Sequence, residues 1–332
     1  MRTIVYSHHP FERPFLEAAN EDGRHELVLV EARLDPATSL LASGSPAVAL
    51  LANDRADAEV LELLHAGGTR LLALRSAGFN HVDLGAAASL GLTVLRVPAY
   101  SPYSVAEHAV ALMMSLNRRI HRAYQRVREG NFSLDGLMGF DMHGKTAGVI
   151  GTGKIGAALV RILLGFGCRV IASDPVRVPD LEAAGVRYVT PDELFAEADI
   201  ISLNCPLTPQ TRHLVNGRTL SLMKPQAMLI NTGRGALIDT QALIGALKRG
   251  VIGSVGLDVY EEEAGLFFHD MSNEIIQDDV FVRLMTFPNV LITGHQGFLT
   301  REAITAIAET TIANLSAFES GSWPAEREVS AV

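Results

Sequence analysis

Cysteine is nearly absent from this chain of 332 residues, occurring only at Cys168 and Cys205. Each lies in or beside an apolar run, and no residues stand at metal-ligand spacing. The expectation is a pair of reduced, buried thiols in a cytoplasmic protein without a bound metal. Positive charge is also in short supply. Lys and Arg number 28 against 37 Asp and Glu, for a formal net charge of −9. Without a basic footprint, nucleic acid is not an expected partner, although a local arginine can still capture an anionic substrate. No apolar run approaches the roughly 18 residues of a membrane span; AVALMMSL, ending at Leu116, is among the longest. The opening MRTIVYSHHP lacks the apolar core of a signal peptide and reads as a first strand. Short-period repeats and low-complexity tracts are missing too.

What is present is ample apolar sequence, 48% hydrophobic against 20% charged, enough to bury substantial cores and to argue against disorder. The length suits about two domains. Runs rich in Val, Ile and Leu alternate with helical patterns. TIVYS, ELVLVE, AVALLA, RLLALR and TVLRV read as strands, with helical DAEVLELLHAGG and DLGAAASLG among them. Such alternation implies a parallel sheet with helices on both faces. Pro98 and Pro102 bracket a break, after which SVAEHAVALMMSLNRRIHRAYQRVREG reads as strongly helical throughout. Its basic run, Arg118, Arg119, Arg122, Arg126 and Arg128, is most simply a solvated or interface face. The loop LDGLMGFDMHGK leads to a second alternating series with strands at TAGVIG, CRVIASD, IISLNC, AMLINTG, SVGLDVY and NVLITG. A long helix, EAITAIAETTIANLSAFESG, follows. If it packs back on the first series, one domain comprises residues 1–100 plus 299–332 and the other residues 101–298.

Within the second series, GVIGTGKIG carries glycines at 151, 153 and 156. They follow an apolar strand and open a helical run, the context in which G-x-G-x-x-G binds a dinucleotide. Gly151 permits the tight turn, Gly153 lets the backbone approach the pyrophosphate, and Gly156 allows close helix–strand packing. The helix N-terminus then offers N–H groups and partial positive charge to the phosphates. Asp174 ends the next strand, where a carboxylate can accept hydrogen bonds from ribose hydroxyls and repel a 2′-phosphate. NAD is therefore expected over NADP, although Arg177 stands nearby.

Three more stretches speak to chemistry. NTGRG places Arg234, DVYEEE places Glu263 and GHQG places His295, each just after an expected parallel strand. That is the edge where α/β sheets hold ligands. A guanidinium, a carboxylate and an imidazole on one edge form a plausible acid–base constellation.

Taken together, the GTGKIG loop with Asp174, NTGRGALIDT, DVYEEE and TGHQGF resemble the D-isomer-specific 2-hydroxyacid dehydrogenases. Within that family the likeness is greatest to the bacterial, fermentative-type D-lactate dehydrogenases. It extends over nearly the whole chain, through LRSAGFNHVDL, VRVPAYSP, AEHAVALMMSLNRRIHRAYQR, NFSLDGL, NCPLTP and FFHDMSNEIIQDDVF. The fold class implied is α/β with two doubly wound parallel-sheet domains: a discontinuous, flavodoxin-like substrate domain and a Rossmann NAD-binding domain. The resemblance implies that Arg234 holds the substrate carboxylate with a bidentate fork that Lys cannot reproduce, and that His295, paired to Glu263, is the general acid–base. The cofactor carries the hydride and the protein supplies the proton. The same resemblance assigns the backbone N–H groups of Ala77 and Gly78 to the carboxylate, and Tyr100 and Phe298 to the walls around the substrate side chain. It assigns Lys154, Ile155, Cys205, Pro206, Thr232 and Asp258 to NAD, the last near the nicotinamide carboxamide.

Four positions depart from the broader family pattern. Ala264 and Gly294 stand where many members have Pro, and both departures fit the D-lactate branch. Gly233 stands where that branch often has Ser, and Thr211 where Asn often contacts the cofactor. The activity implied is reduction of pyruvate to D-lactate with NADH, the first domain closing over the second. Alternatives are the same chemistry on hydroxypyruvate, glyoxylate or phenylpyruvate, and an NAD-sensing binding protein on the same fold. Family members dimerise through the region after Pro102, so a homo-oligomer of two or four chains is implied as well.

Overall fold

Strands that are apolar at every position must be covered on both faces. The computed structural model, which describes residues 1–331, arranges such strands in two units, residues 1–101 with 299–331 and residues 102–298. In the first, β1 (Arg2–Val5), β2 (Glu26–Leu29), β3 (Ala47–Leu50), β4 (Leu71–Leu74) and β5 (Thr93–Leu95) form one parallel sheet in the order β2-β1-β3-β4-β5. Alternation sorts their side chains into two cores. Val48, Leu50, Leu72 and Leu74 pack with Val60, Leu61 and Leu64 of the helix Ala58–Ala66. Ala47, Ala49, Leu71 and Ala73 pack with Ala308, Ile312 and Leu315 of the helix Arg301–Ser320. The small side chains of that second face let a helix lie close. Thr300 caps this helix by accepting the Ala303 N–H, and Gly321 ends it in the left-handed conformation.

The second unit holds β6 (Thr146–Ile150), β7 (Arg169–Ser173), β8 (Arg187–Tyr188), β9 (Ile200–Leu203), β10 (Met228–Asn231), β11 (Ser254–Leu257) and β12 (Val290–Ile292). All pair in parallel, in the order β12-β11-β10-β9-β6-β7-β8. The direction of winding reverses at β6. Six of these strands were expected; β8 is an edge strand of two residues, too short to show any alternation. Against one face lies the helix Pro102–Asn117, which buries Ala106, Ala109, Leu112, Met113 and Leu116. Its approach depends on Gly256 of β11, where a Cβ would come within 3.1 Å of Leu116 and 3.3 Å of Leu112.

The long helix expected after Pro102 is in fact two, Pro102–Asn117 and Ile120–Arg128. Arg119 between them has φ +52°, outside helical space. The Asn117 amide holds the chain where it returns, donating to the Phe140 carbonyl and accepting the Phe140 N–H, each at 2.8 Å. Gly139 alone fits there, since a Cβ would stand 2.5 Å from the Asn117 carbonyl oxygen. Periodicity registers apolar spacing and not this clasp. Among the described residues, no helix is long and apolar enough to cross a membrane and no three His, Cys, Asp or Glu side chains gather to hold a metal ion. Both cysteines are free; Cys168 is buried and Cys205 only half-buried.

His25 reports on the first unit. It is buried, with Nε2 at 2.8 Å from Ser316 Oγ of the long C-terminal helix. Burial pulls its pKa below the ordinary imidazole value, opposed in part by Glu319. The unfolded chain therefore takes up the proton first, so this contribution is intact above the unfolded pKa of about 6.5 and is lost as pH falls from there towards the folded value. His25→Gln, which keeps an amide against Ser316, is expected to flatten the fall in urea midpoint between about pH 7 and pH 5. An unchanged slope would show that His25 does not carry it.

Candidate active site

Each strand of a parallel sheet ends on the same edge, and in the second unit that edge gathers the candidate site residues. Gly151 follows β6 with φ +90°, and a Cβ there would lie 2.6 Å from the Cys205 nitrogen. At Gly156 a Cβ would lie 1.9 Å from the Gly151 carbonyl oxygen. Both glycines are required by the protein itself. Gly153 is different: nothing lies within 4 Å of the place a Cβ would take. It is the N-cap of the helix Lys154–Gly165 and makes no side-chain cap bond. The first-turn N–H groups of Lys154, Ile155 and Gly156 thus have the arrangement that accepts a phosphate.

Asp174 follows β7. Its Oδ2 accepts the Thr152 N–H at 2.7 Å and its Oδ1 the Val176 N–H at 2.8 Å, which fixes the carboxylate beside the glycine loop. Both oxygens keep lone pairs for further donors. The loop after β9 brings Cys205 and Pro206. Burial pushes the Cys205 thiol up to about 11, so it stays protonated and serves as an apolar wall. Thr211 does not reach outward; its hydroxyl donates to the Pro206 carbonyl at 2.7 Å and clasps this loop. Asn204 Oδ1 and Thr232 Oγ1, beyond the ends of β9 and β10, are buried without a hydrogen-bond partner in the chain. An open approach at Gly153, an uncapped helix end, a fixed carboxylate and two orphaned buried polar atoms fit a dinucleotide along this edge.

Arg234 follows β10 on a turn built by Asn231, whose side chain accepts the Gly233 N–H at 3.0 Å and donates to the Arg234 carbonyl at 2.9 Å. Gly235 then abuts the next loop, where a Cβ would meet the Tyr260 carbonyl carbon at 2.1 Å. One N–H of the Arg234 guanidinium donates to the Gly233 carbonyl at 2.7 Å. Glu263 lies beyond β11 and accepts the Tyr260 N–H through Oε2 at 3.1 Å. Its Oε1 stands 2.7 Å from His295 Nδ1, with both side chains mostly buried. The carboxylate accepts from Nδ1–H, leaving Nε2 to exchange a proton with a ligand. Phe298 and Phe268 close around the imidazole, with ring centroids 6.5 Å and 5.8 Å from it.

Asp258 follows β11 directly. It is buried, and its carboxylate accepts Thr293 Oγ1–H at 2.5 Å, the Gln296 N–H at 2.9 Å and the Gly297 N–H at 2.8 Å. Burial raises its pKa, but hydrogen bonds from His108 and Thr293 outweigh that and hold the carboxyl below the usual range. Ala77, Gly78 and Tyr100 belong to the first unit. There Arg75 is fully buried, donating to Glu12 and to the Tyr6 carbonyl. The turn after it is fixed through its carbonyls, Gly78 by Ser76 Oγ at 2.7 Å and Ala77 by Arg96 at 3.2 Å.

Three participants escaped sequence reasoning. Asn231 carried a readable signal, a polar residue ending the apolar MLIN strand. Phe268, with φ +69°, and His108 carried none.

In strand order, His295, Glu263, Arg234, Cys205, Gly151 and Asp174 follow β12, β11, β10, β9, β6 and β7. A run of six adjacent strands spans roughly 24 Å. This fold and edge define an NAD-dependent α/β oxidoreductase. The profile of the D-isomer specific 2-hydroxyacid dehydrogenase NAD binding domain matches residues 110–297, and the chain belongs to that family. It is 55% identical to D-lactate dehydrogenase of Escherichia coli (strain K12) over 321 residues, 97% of this chain and 98% of that one. The solved apo-structure of D-lactate dehydrogenase from Escherichia coli superposes with a TM-score of 0.89 at 52% identity, covering 99% of this chain and 100% of the other. That of D-lactate dehydrogenase from Aquifex aeolicus, complexed with NAD and lactic acid, gives 0.87 at 34% identity over 96% of both chains.

The contrast among the glycines is testable. Gly153→Val is expected to leave the melting temperature nearly unchanged while weakening NADH binding by about tenfold or more, because the open space beside Gly153 is where a dinucleotide would approach the helix end. Fluorescence titration with NADH and thermal unfolding measure both; a variant that binds NADH normally would remove Gly153 from the cofactor site.

Proposed function

We propose that the protein reduces pyruvate to D-lactate with NADH, and runs the reverse reaction, with Arg234, Glu263 and His295 as its reacting trio. The observation carrying this reading is the 2.7 Å His295–Glu263 pair, held on the same sheet edge as the Arg234 turn and the glycine loop. As imidazolium, His295 donates from Nε2 to the keto oxygen while Glu263 fixes the ring. Arg234 offers its fork to the substrate carboxylate and so aligns the carbonyl. NAD supplies or accepts the hydride when bound. The paired aromatic rings of Phe268 and Phe298 against His295 favour a small substrate side chain. The D-configuration and the choice of pyruvate rest on the names of the relatives.

In this reading the second unit is a Rossmann domain, its winding reversed about β6, and the order β2-β1-β3-β4-β5 makes the first a flavodoxin-like substrate domain. Ala77 and Gly78 would add backbone N–H groups to the carboxylate, and Tyr100 would limit the side chain. Pro206 and Thr232 would line the cofactor, with Asp258 shared between nicotinamide and the His295 turn. Two free thiols suit a reducing cytoplasm. The chain also functions as a homo-oligomer in this reading: Ile120, Tyr124, Val127, Phe132, Leu134 and Met138 are each more than half exposed in one stretch, far more apolar surface than a monomer needs there.

A panel of 2-keto acids assayed by NADH absorbance tests the substrate. Pyruvate is expected to give the highest kcat/KM, and a preference for phenylpyruvate or hydroxypyruvate would replace it. His295→Gln is expected to lower kcat by about 10²–10⁴-fold while NADH still binds, the range for losing a general acid. Near-normal turnover would remove the proton-donor role. Arg234→Lys is expected to raise the KM for pyruvate about tenfold or more, since an ammonium cannot form the bidentate pair.

A further inference from the structure

His295 itself sits in an unfavourable backbone conformation, φ +54°, on the turn Thr293–Gly297. Something must hold that turn. Asp258 does so directly, through Thr293, Gln296 and Gly297. Asp258 in turn is met by the helix Pro102–Asn117, where His108 Nε2 lies 3.1 Å from Asp258 Oδ1 and 3.0 Å from Thr293 Oγ1. Thr293 donates its hydroxyl hydrogen to Asp258, so both atoms facing Nε2 are acceptors and Nε2 carries the proton. Ser104, one helical turn before His108, donates to the Gly297 carbonyl at 2.8 Å.

The registry behind this contact is specific. Leu112 lies over Gly256, and His108 meets Asp258. Four helical residues rise about 6.0 Å and two strand residues about 6.6 Å, so the helix and β11 run antiparallel with their contacts in step. Gly256 sets how near the helix comes, and that distance delivers the imidazole to the carboxylate.

We propose that His108 is a positioning residue for the reaction: by donating to Asp258 and Thr293 it fixes the turn that aims His295. This rests on the proposed role of His295. Removing the donor frees the Asp258 carboxylate to shift and lets the turn relax from its strained form, so His295 loses its aim while the glycine loop is untouched.

The test compares His108→Ala, His108→Gln and His108→Asn in the full-length enzyme, reading kcat, the KM for pyruvate, NADH affinity and melting temperature. Glutamine places an N–H at the reach of Nε2, whereas asparagine is of similar polarity and falls short. The Ala and Asn variants are expected to lose about ten- to a hundredfold in kcat, the scale of a small misplacement at a reacting group, with KM and NADH affinity within about threefold of wild type. Gln is expected to recover most of kcat. Wild-type turnover in Ala and Asn, a Gln variant as impaired as Ala, or a loss confined to KM or NADH affinity would each overturn the inference. Should the Ala variant not fold, the Gln and Asn pair decides. His295→Gln run alongside separates the two readings: if it stays active the trio fails, and if it loses turnover while the His108 variants do not, only the His108 inference fails.

Discussion

Parallel pairing is the constraint on which the rest depends. Strands that all point one way deliver all their following loops to one edge, and the reversal of winding at β6 puts the glycine loop between the loops of β9 and β7. No separate device is needed to gather residues that lie more than a hundred positions apart in sequence. The cost of this arrangement is that every strand must be covered twice, which explains the continuous apolar runs and the glycines that admit helices and neighbouring loops. Gly256 under the helix Pro102–Asn117 and Gly235 under the Arg234 turn are instances at opposite ends of the same requirement.

Within the site the backbone is strained at two residues. His295 and Phe268 both have positive φ, and such residues cost on the order of 1–3 kcal/mol each, persisting only when their surroundings over-determine them. The Asp258 carboxylate provides that determination for the His295 turn. A charge in this position must be satisfied, and it is satisfied by the same N–H groups whose geometry the turn requires. Burial thereby converts a local turn into a rigid mount, with Glu263 locking the ring that the mount carries.

Much of this was legible in the sequence, and for a physical reason. Asp174, Arg234, Glu263 and His295 each follow an apolar strand, so the period that marks the strand also marks the edge. The glycine loop could be read because two of its glycines, Gly151 and Gly156, meet close contacts that only glycine tolerates, while Gly153 leaves the approach open. Other features depend on neighbours remote in the chain. That Asp258 gathers Thr293, Gln296 and Gly297 cannot be seen in DVY, because spacing does not say what a buried carboxylate meets. The packing of Phe268 on His295 arises in a loop without any period. The break at Arg119 is set by Phe140 returning to Asn117, a contact between segments that a helical wheel treats as unrelated.

That clasp has a consequence for how the molecule can change. The chain leaves at Asn117, runs through the exposed apolar residues Ile120 to Met138, and comes back to the same asparagine at Phe140. Topologically, residues 118–139 are a closed detour: the sheet sees one point of departure and return, whatever lies between. Sequence drift, lengthening or exchange of that segment would leave the strand register and the edge undisturbed. The exposed segment and the strand-end edge can therefore vary along separate lines in this fold, with one side-chain amide as the partition between them.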